Sequence, residues 1–577
     1  MNPSALKLFS ITTLVSSVSA GLAIGLLSSL PASADELSFE LTSFDSIDIP
    51  VVNTDSSAQT SGVESFNASA LSRADDAALQ MHRQRALPVL ESLEFDQLPE
   101  APLEGLEQGL PDEFLPDMDA MPLEDESTAE EALEEALLDT IYSATESEPR
   151  MSAVEHYSRG IRAYRRGDDA AAVASFNAAI TANSEYAEAY LFRAASKLSL
   201  GDPTAAMADY STAIFVRPDY DLAYFSRGAL FYQMGDLAAA IDDFERVIAL
   251  DPMFVEAYDY LGLTKAAIGA HTEALIDYES ALSINPEYEM AYMHRGASLI
   301  ELGEYESAIA PLSNAIKIDP GYVEAFLNRG VAYYHIGSMA SALDNFNRAL
   351  QLDSENSEAY YNRSYVYSAL GQPGAAIADI NQVLSRQPDS VQAYMARGSL
   401  YSAQGDYAAA IADFNKVIEI DTYASEAYHQ RALVRVASNN IPDAIADYEN
   451  AISISPADGS IYKGRADAYA IYGNLPAAIQ DYTYAIELDS DYSAAYTARG
   501  RAYYEAGDAR SAYQDFTHII RQNPAVSADV YYYRGITLVA LGDTFGAHSD
   551  LQTAADKYLA AGQPDGYRAV IERMSRL

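Results

Sequence analysis

Residues 221–254 read DLAYFSRGALFYQMGDLAAAIDDFERVIALDPMF, and residues 255–288 follow the same pattern as VEAYDYLGLTKAAIGAHTEALIDYESALSINPEY without a gap. The 34-residue frame runs from Ala153 to Val526 as eleven consecutive units, and a twelfth unit follows one additional residue, Ser527. We number the units 1 to 12; they begin at residues 153, 187, 221, 255, 289, 323, 357, 391, 425, 459, 493 and 528. A fixed period of this length indicates an architecture in which neighbouring units stack on one another.

Each unit predicts two helices joined by a tight turn. In unit 3, the spacing of Tyr224, Gly228 and Phe231 is that of one face of a first helix. Gly235 suits a left-handed turn conformation, and Asp236 suits the N-cap of the next helix. The apolar face of that second helix consists of Ala240, Phe244 and Val247. Because Gly228 has no side chain, the two helices can approach each other closely there.

The order of aromatic, small residue, Gly-Asp, Ala, aromatic and often Asp-Pro recurs in unit after unit and resembles the tetratricopeptide repeat. One departure is that Tyr or Phe stands where that family often has Trp, which this chain lacks. The resemblance implies an all-α solenoid of about twelve helix-turn-helix repeats. It also implies a right-handed superhelix whose first helices line a concave surface.

The composition restricts the class of partner. The chain has no Cys, which excludes disulfides, thiolate metal sites and Cys nucleophiles. Its formal net charge of −48 argues against nonspecific binding to nucleic acid or to anionic lipid. We therefore expect no nucleic-acid partner.

The amino-terminal residues 1–34 predict a secretory signal peptide. Lys7 precedes a largely apolar stretch, and small residues before Asp35 suit a cleavage site. The stretch is also long enough to span a bilayer, so the chain would be membrane-anchored if this segment is not cleaved. Either outcome predicts an extracytoplasmic repeat array, periplasmic or secreted, with no membrane insertion beyond this segment.

Residues 35–150 differ in composition from the repeats. They hold 29 acidic residues against four Arg, with no sustained apolar period, which predicts a largely disordered acidic linker. Within it, a capping-box pattern at Ser127 and the spacing of Leu133, Leu137 and Ile141 predict a helix at 127–143. That helix could cap the first repeat, or it could be an internal ligand for the concave groove.

The carboxyl-terminal end of the chain predicts a cap. Residues 528–561 form the twelfth unit, and residues 562–577 predict a helix with Val570, Met574 and Leu577 on one side. A solenoid needs a polar-faced terminal cap, and we assign this helix to that role.

An Arg precedes the small residue of almost every first helix, at position 7 of the unit, with Leu261 as the exception. An Asp stands at position 23, on the second helix, in most units. Because both recur with the same period, we interpret them as a structural Arg–Asp ladder and not as a basic track for nucleic acid. Pro311 replaces the Asp in unit 5 and predicts a kinked or loosened helix.

The repeat frame places a set of mostly large side chains on the concave side of the first helices. Aromatic groups there offer large contact area and a hydrogen-bonding tip, which suits a peptide groove. The alternative is that neighbouring repeats cover them. The predicted partner-binding residues are Tyr157, Tyr164, Leu191, Phe225, Tyr232, Met293, Asn328, Tyr334, Tyr361 and Asn362.

The chain contains no motif for catalysis, phosphate binding or metal ligation. We therefore expect no enzymatic activity, no catalytic residues, no metal site and no cofactor. The leading hypothesis is an extracytoplasmic scaffold that binds a peptide or helix of a partner protein in the groove. The alternative is an accessory component of an envelope assembly or export machine that docks through its acidic amino-terminal segment.

Overall fold

The computed structural model describes residues 151–577, which form 25 helices and no strand. The all-α prediction is therefore confirmed for this part of the chain. The predicted signal peptide at 1–34, the acidic segment at 35–150 and the helix at 127–143 lie outside the described residues.

Units 1 to 12 each contain one helix pair. Their first helices are α1 (Ala153–Arg165), α3 (Ala187–Ser199), α5 (Asp221–Gln233), α7 (Val255–Ala267), α9 (Glu289–Glu301), α11 (Val323–His335), α13 (Ser357–Ala369), α15 (Val391–Ala403), α17 (Ser425–Ala437), α19 (Gly459–Ile471), α21 (Ser493–Glu505) and α23 (Ala528–Leu541). Their second helices are α2 (Asp169–Ala182), α4 (Pro203–Val216), α6 (Leu237–Leu250), α8 (His271–Ile284), α10 (Tyr305–Ile318), α12 (Met339–Leu352), α14 (Pro373–Arg386), α16 (Tyr407–Ile420), α18 (Ile441–Ile454), α20 (Leu475–Leu488), α22 (Ala509–Gln522) and α24 (Thr544–Ala560). The terminal helix is α25 (Pro564–Ser575).

The turn between the helices of a unit has the predicted chemistry. Gly235 has a φ of 78°, which is a left-handed conformation that a side chain disfavours. The Asp236 carboxylate accepts a hydrogen bond from the Ala239 amide at 3.2 Å and so caps α6. In unit 9, Asn439 occupies the turn with a φ of 59°, consistent with the tolerance of Asn for this region.

The small residue of the first helix allows close contact within the pair. A Cβ atom built on Gly228 would lie 3.0 Å from Cε1 of Phe244, and one on Gly398 would lie 2.8 Å from Cε1 of Phe414. Both Phe rings are fully buried. The aromatic residue of the second helix therefore occupies the space that the small residue leaves open.

Stacking between units determines the course of the array. Each second helix packs against the first helix of the next unit. First helices of most neighbouring units also contact each other, whereas second helices of neighbouring units have no comparable contact within residues 151–577. The units are therefore closer together on the first-helix side, which makes that side concave.

The last helix covers the end of the stack. The Val570 side chain of α25 is fully buried in the cluster that contains Leu551 and Ala555 of α24. Exposed ion pairs lie on α25, between Arg568 and Asp565, and at its carboxyl end, between Arg576 and Glu572.

Candidate partner-binding surface

The predicted groove residues lie on the first helices of units 1, 2, 3, 5, 6 and 7. The structure divides them into a buried group and a partly exposed group. The buried group comprises Tyr157, Tyr164, Leu191, Phe225, Tyr232 and Met293. The partly exposed group comprises Asn328, Tyr334, Tyr361 and Asn362.

The buried group contributes to the packing between units. The Tyr157 ring centroid lies 4.8 Å from that of Tyr186 and 6.1 Å from that of Phe192. The Phe225 ring stacks on Phe254 at 5.0 Å. These rings contact the turn before the next unit or the first helix of that unit. Neighbouring repeats therefore cover these side chains, which is the alternative to partner binding given above. Their assignment to a partner stays a prediction.

The partly exposed group belongs to units 6 and 7. The Tyr361 hydroxyl lies 2.8 Å from the hydroxyl of Tyr365, one turn further along α13. Burial raises the pKa of both Tyr334 and Tyr361, so both phenols stay protonated at neutral pH and can donate as well as accept a hydrogen bond. Tyr365 was not among the predicted residues, although its four-residue spacing from Tyr361 places it on the same helix face.

Two histidines near this surface have defined partners. The Nδ1 atom of His294 lies 2.8 Å from an oxygen of Asp259 on the preceding first helix, and both side chains are buried. The His335 ring stacks on Tyr305 at 4.2 Å, and burial lowers its pKa, which favours the neutral ring. The sequence shows the Asp259–His294 pair only as one Asp and one His in consecutive units, which is too weak a signal to predict it.

The Arg–Asp ladder is confirmed in eight units. Arg397 donates from Nε and Nη2 to the two oxygens of Asp413 at 2.9 and 2.7 Å, and from Nη1 to Asn381 of the preceding unit at 2.6 Å. Arg397 therefore joins three helices. The equivalent bond to the preceding second helix is made by Arg193, Arg227, Arg363, Arg431 and Arg499. The pairs are Arg193–Asp209, Arg227–Asp243, Arg363–Asp379, Arg397–Asp413, Arg431–Asp447, Arg465–Asp481, Arg499–Asp515 and Arg534–Asp550.

The ladder arginines are held by carboxylates and are not an open basic track. The ladder carboxylates raise the pKa of Arg227, Arg363 and Arg397 through their hydrogen bonds. The guanidinium groups also lie near the aromatic ring three residues earlier, as for Arg397 and Tyr394 at 5.4 Å. The positive charge of each ladder Arg is therefore paired with a carboxylate of the array itself.

Within residues 151–577, no group of three or more His, Asp or Glu side chains is arranged to hold a metal ion. In the same range, no helix combines the length and the apolar character that crossing a bilayer requires.

Models of known families match much of the array. Those described as tetratricopeptide repeat match residues 157–221, 222–254, 323–356, 361–425 and 429–493. A model described as TPR repeat matches residues 296–337. A comparison with curated proteins gave no match.

Several solved structures resemble the chain in fold. A tetratricopeptide repeat protein from Parabacteroides merdae is 23% identical, covers 43% of this chain and 98% of its own, and has a TM-score of 0.36. YrrB, described as a TPR protein with an unusual peptide-binding site, is 24% identical, covers 32% of this chain and 95% of its own, and has a TM-score of 0.28. Yeast Tom70 is 15% identical, covers 74% of this chain and 96% of its own, and has a TM-score of 0.37.

Proposed function

Because the chain belongs to the tetratricopeptide repeat proteins, we propose that it is an extracytoplasmic scaffold that binds a peptide or helix of a partner protein on its concave face. Proteins of this family bind protein or peptide partners, and the repeat fold is generally a noncatalytic interaction scaffold. We infer in addition that the partner binds on the concave face and that the array lies outside the cytoplasm. The predicted signal peptide at 1–34 supports the compartment.

The observation that carries the proposal is the group of four partly exposed side chains on two adjacent first helices. Asn328 and Tyr334 on α11, and Tyr361 and Asn362 on α13, combine aromatic surface with hydrogen-bonding groups. Aromatic residues that can also hydrogen-bond are enriched among the residues that dominate binding energy in protein interfaces. A partner strand or helix lying across α11 and α13 would contact all four.

Binding on this surface would require little reorganisation. The first helices are held by contacts to the second helices and to one another, so their side chains are presented on a preorganised support. Preorganisation increases affinity because less conformational entropy is lost on binding. Removing the aromatic surface should therefore weaken binding without unfolding the array.

A pull-down of full-length protein tests this proposal. We expect the Tyr334→Ala/Tyr361→Ala variant to lose partners that wild-type protein recovers, at unchanged helical content by circular dichroism. Tyr423→Ala is the matched control, because Tyr423 is a highly exposed tyrosine in the turn before α17. Equal recovery of every partner by wild type, the double variant and the control would contradict binding at this surface.

The second candidate function is docking through the acidic segment, which the 29 acidic residues against four Arg in residues 35–150 favour. In this case the array is a spacer within an envelope assembly or export machine, and basic surfaces of the partner bind the segment. Deletion of residues 35–150 separates the two candidates. Partner recovery that survives the deletion supports the concave face, whereas recovery that is lost supports the acidic segment.

A further inference from the structure

The amino-terminal face of unit 1 carries charges at positions where the other units carry none. Positions 3 and 10 of the first helix are buried in all of units 2 to 12 and hold no charged residue there. In unit 1 these positions hold Glu155 and Arg162, and Arg162 is exposed. This side of a first helix contacts the preceding unit elsewhere in the array. In unit 10, a Cβ atom built on Gly464, at position 6 on the same side, would lie 2.7 Å from Cε1 of Tyr448 in unit 9.

Arg159, at the ladder position of unit 1, has neither of the partners that other ladder arginines have. Position 23 of this unit is Ser175, whose hydroxyl donates to the carbonyl oxygen of Ala171 at 2.9 Å. Within residues 151–577, no second helix precedes α1 to offer an acceptor, as the preceding second helix does for Arg397. Arg159 and Arg162 are both exposed, and neither side chain has a hydrogen bond or an ion pair within this part of the chain.

The charge of this face is opposite to that of the whole chain. The chain has 84 acidic and 36 basic residues, yet residues 159–166 contain four Arg and no acidic residue. The Glu155 carboxylate accepts a hydrogen bond from the Ser152 amide and forms part of the cap of α1. The amino-terminal end of the array is therefore a basic surface, which favours an acidic occupant.

The chain that leads into α1 supplies an acidic segment. The helix predicted at 127–143, which lies outside the described residues, contains five acidic residues and no basic residue. Residues 144–152 connect it to Ala153, the first residue of α1, and can span about 30 Å when fully extended. Such a short connection gives the segment a high effective concentration at α1, so ion pairs that are weak individually are sufficient for docking.

The spacing of the charges also matches. On the predicted helix, Glu130 and Glu134 are one turn apart and border its apolar side. Arg159 and Arg162 are one turn apart on α1. Two helices that lie along each other can therefore form two ion pairs at once. The aliphatic parts of the Arg side chains can then cover the apolar side of the predicted helix.

We propose that residues 127–143 form a helix that docks on the amino-terminal face of α1, with Glu130 and Glu134 paired to Arg159 and Arg162. The docked helix supplies the carboxylate that Arg159 lacks within the array. It covers the first unit as α25 covers the last one. The acidic segment is thereby held at the end of the array and outside the concave groove.

Hydrogen exchange of the full chain tests the docking. We expect the amides of residues 127–143 to be protected in wild type and to exchange about tenfold faster in Arg159→Glu/Arg162→Glu, because two attractions become repulsions. Arg510→Glu/Arg521→Glu is the matched control, because these exposed arginines of α22 give the same change of net charge in unit 11. Absence of protection in wild type, or equal protection in wild type and Arg159→Glu/Arg162→Glu, would overturn the docking.

An exchange of charges tests the pairing itself. Glu130→Arg/Glu134→Arg should lose the protection, and its combination with Arg159→Glu/Arg162→Glu should restore it. A combined variant of unchanged helical content that stays unprotected would overturn the proposed pairs. Faster exchange of residues 127–143 in Tyr334→Ala/Tyr361→Ala, but not in Arg159→Glu/Arg162→Glu, would place the helix in the concave groove and also overturn them. None of these results depends on whether the concave face binds a partner protein.

Discussion

At the scale of single residues, the array depends on charges that are kept in pairs. The Arg397 and Asp413 side chains are only 20% and 7% exposed, and they form two parallel hydrogen bonds. Removing one member leaves the other charge partly buried without its partner. The resulting loss of folding free energy is larger than the net stabilisation that the intact pair provides. The ladder is therefore more sensitive to a single substitution than to the loss of a whole pair.

We expect Arg397→Leu to lower the free energy of unfolding by about 3–5 kcal/mol at most, the range for breaking a buried ion pair. The double variant Arg397→Leu/Asp413→Leu should recover part of this loss, because no charge is left unpaired. Thermal unfolding followed by circular dichroism measures both. Lys416→Leu in the same unit is the control. The Glu419 partner of Lys416 is exposed, so the melting temperature of this variant should stay close to that of wild type. A melting temperature unchanged by Arg397→Leu would contradict the structural role of the ladder.

The pKa of His335 predicts a dependence of stability on pH. Burial lowers this pKa below its ordinary value of 6.5, so at acidic pH the unfolded chain binds a proton at this residue more readily than the folded chain. Stability is therefore lost as pH falls below that value. His335→Phe keeps a ring to stack on Tyr305 and should reduce the loss of melting temperature between pH 7.5 and 5.5. The exposed His548→Gln serves as control, and an identical pH dependence of wild type and His335→Phe would refute the prediction.

At the scale of elements, each helix pair depends on the one place where its two helices nearly touch. Gly398 of α15 has no room for a Cβ atom beside Phe414, and the ring is fully buried on α16. Gly374, in the first turn of α14, has open space around it, with no positive φ. The same residue type therefore has opposite roles in two neighbouring units.

Replacing these two glycines by Ala should change stability in opposite directions. Gly398→Ala overpacks the pair and should cost about 1–3 kcal/mol. Gly374→Ala should be neutral or stabilising by about 0.5–1 kcal/mol, because Ala loses less conformational freedom in a helix. Chemical denaturation of both variants measures the difference, and a Gly398→Ala variant as stable as wild type would show that the helices are not tightly packed there.

At the scale of the whole molecule, stability is a sum of units and of the interfaces between them. A defect should therefore spread to neighbouring units before it reaches the far end. The terminal helix α25 offers a test, because Val570 is fully buried while the adjacent Ile571 is 41% exposed.

We expect Val570→Asp to release α25 from unit 12, because a buried carboxylate without a partner is strongly unfavourable. Hydrogen exchange should become faster in α23 and α24, with little change in α1 to α6. Ile571→Asp should leave exchange in α23 and α24 near that of wild type. Faster exchange throughout residues 153–560 after Val570→Asp would show instead that the array unfolds as one cooperative body.

The amino-acid sequence alone determined the repeat period, the helix pairs, the Gly turns and the pairing of Arg with Asp. These features follow from interactions that recur at constant separations along the chain, such as the separation of sixteen positions from Arg397 to Asp413. A repeated local pattern can be read because each unit supplies an independent observation of the same geometry.

Only the tertiary structure decided which predicted groove residues are accessible. Tyr157 and Tyr361 occupy equivalent positions in their units, yet the first is buried and the second is partly exposed. The structure also revealed the buried Asp259–His294 pair, which joins units 4 and 5. Exposure and cross-unit contacts depend on how neighbouring helices pack, and the composition of one helix face does not contain that information.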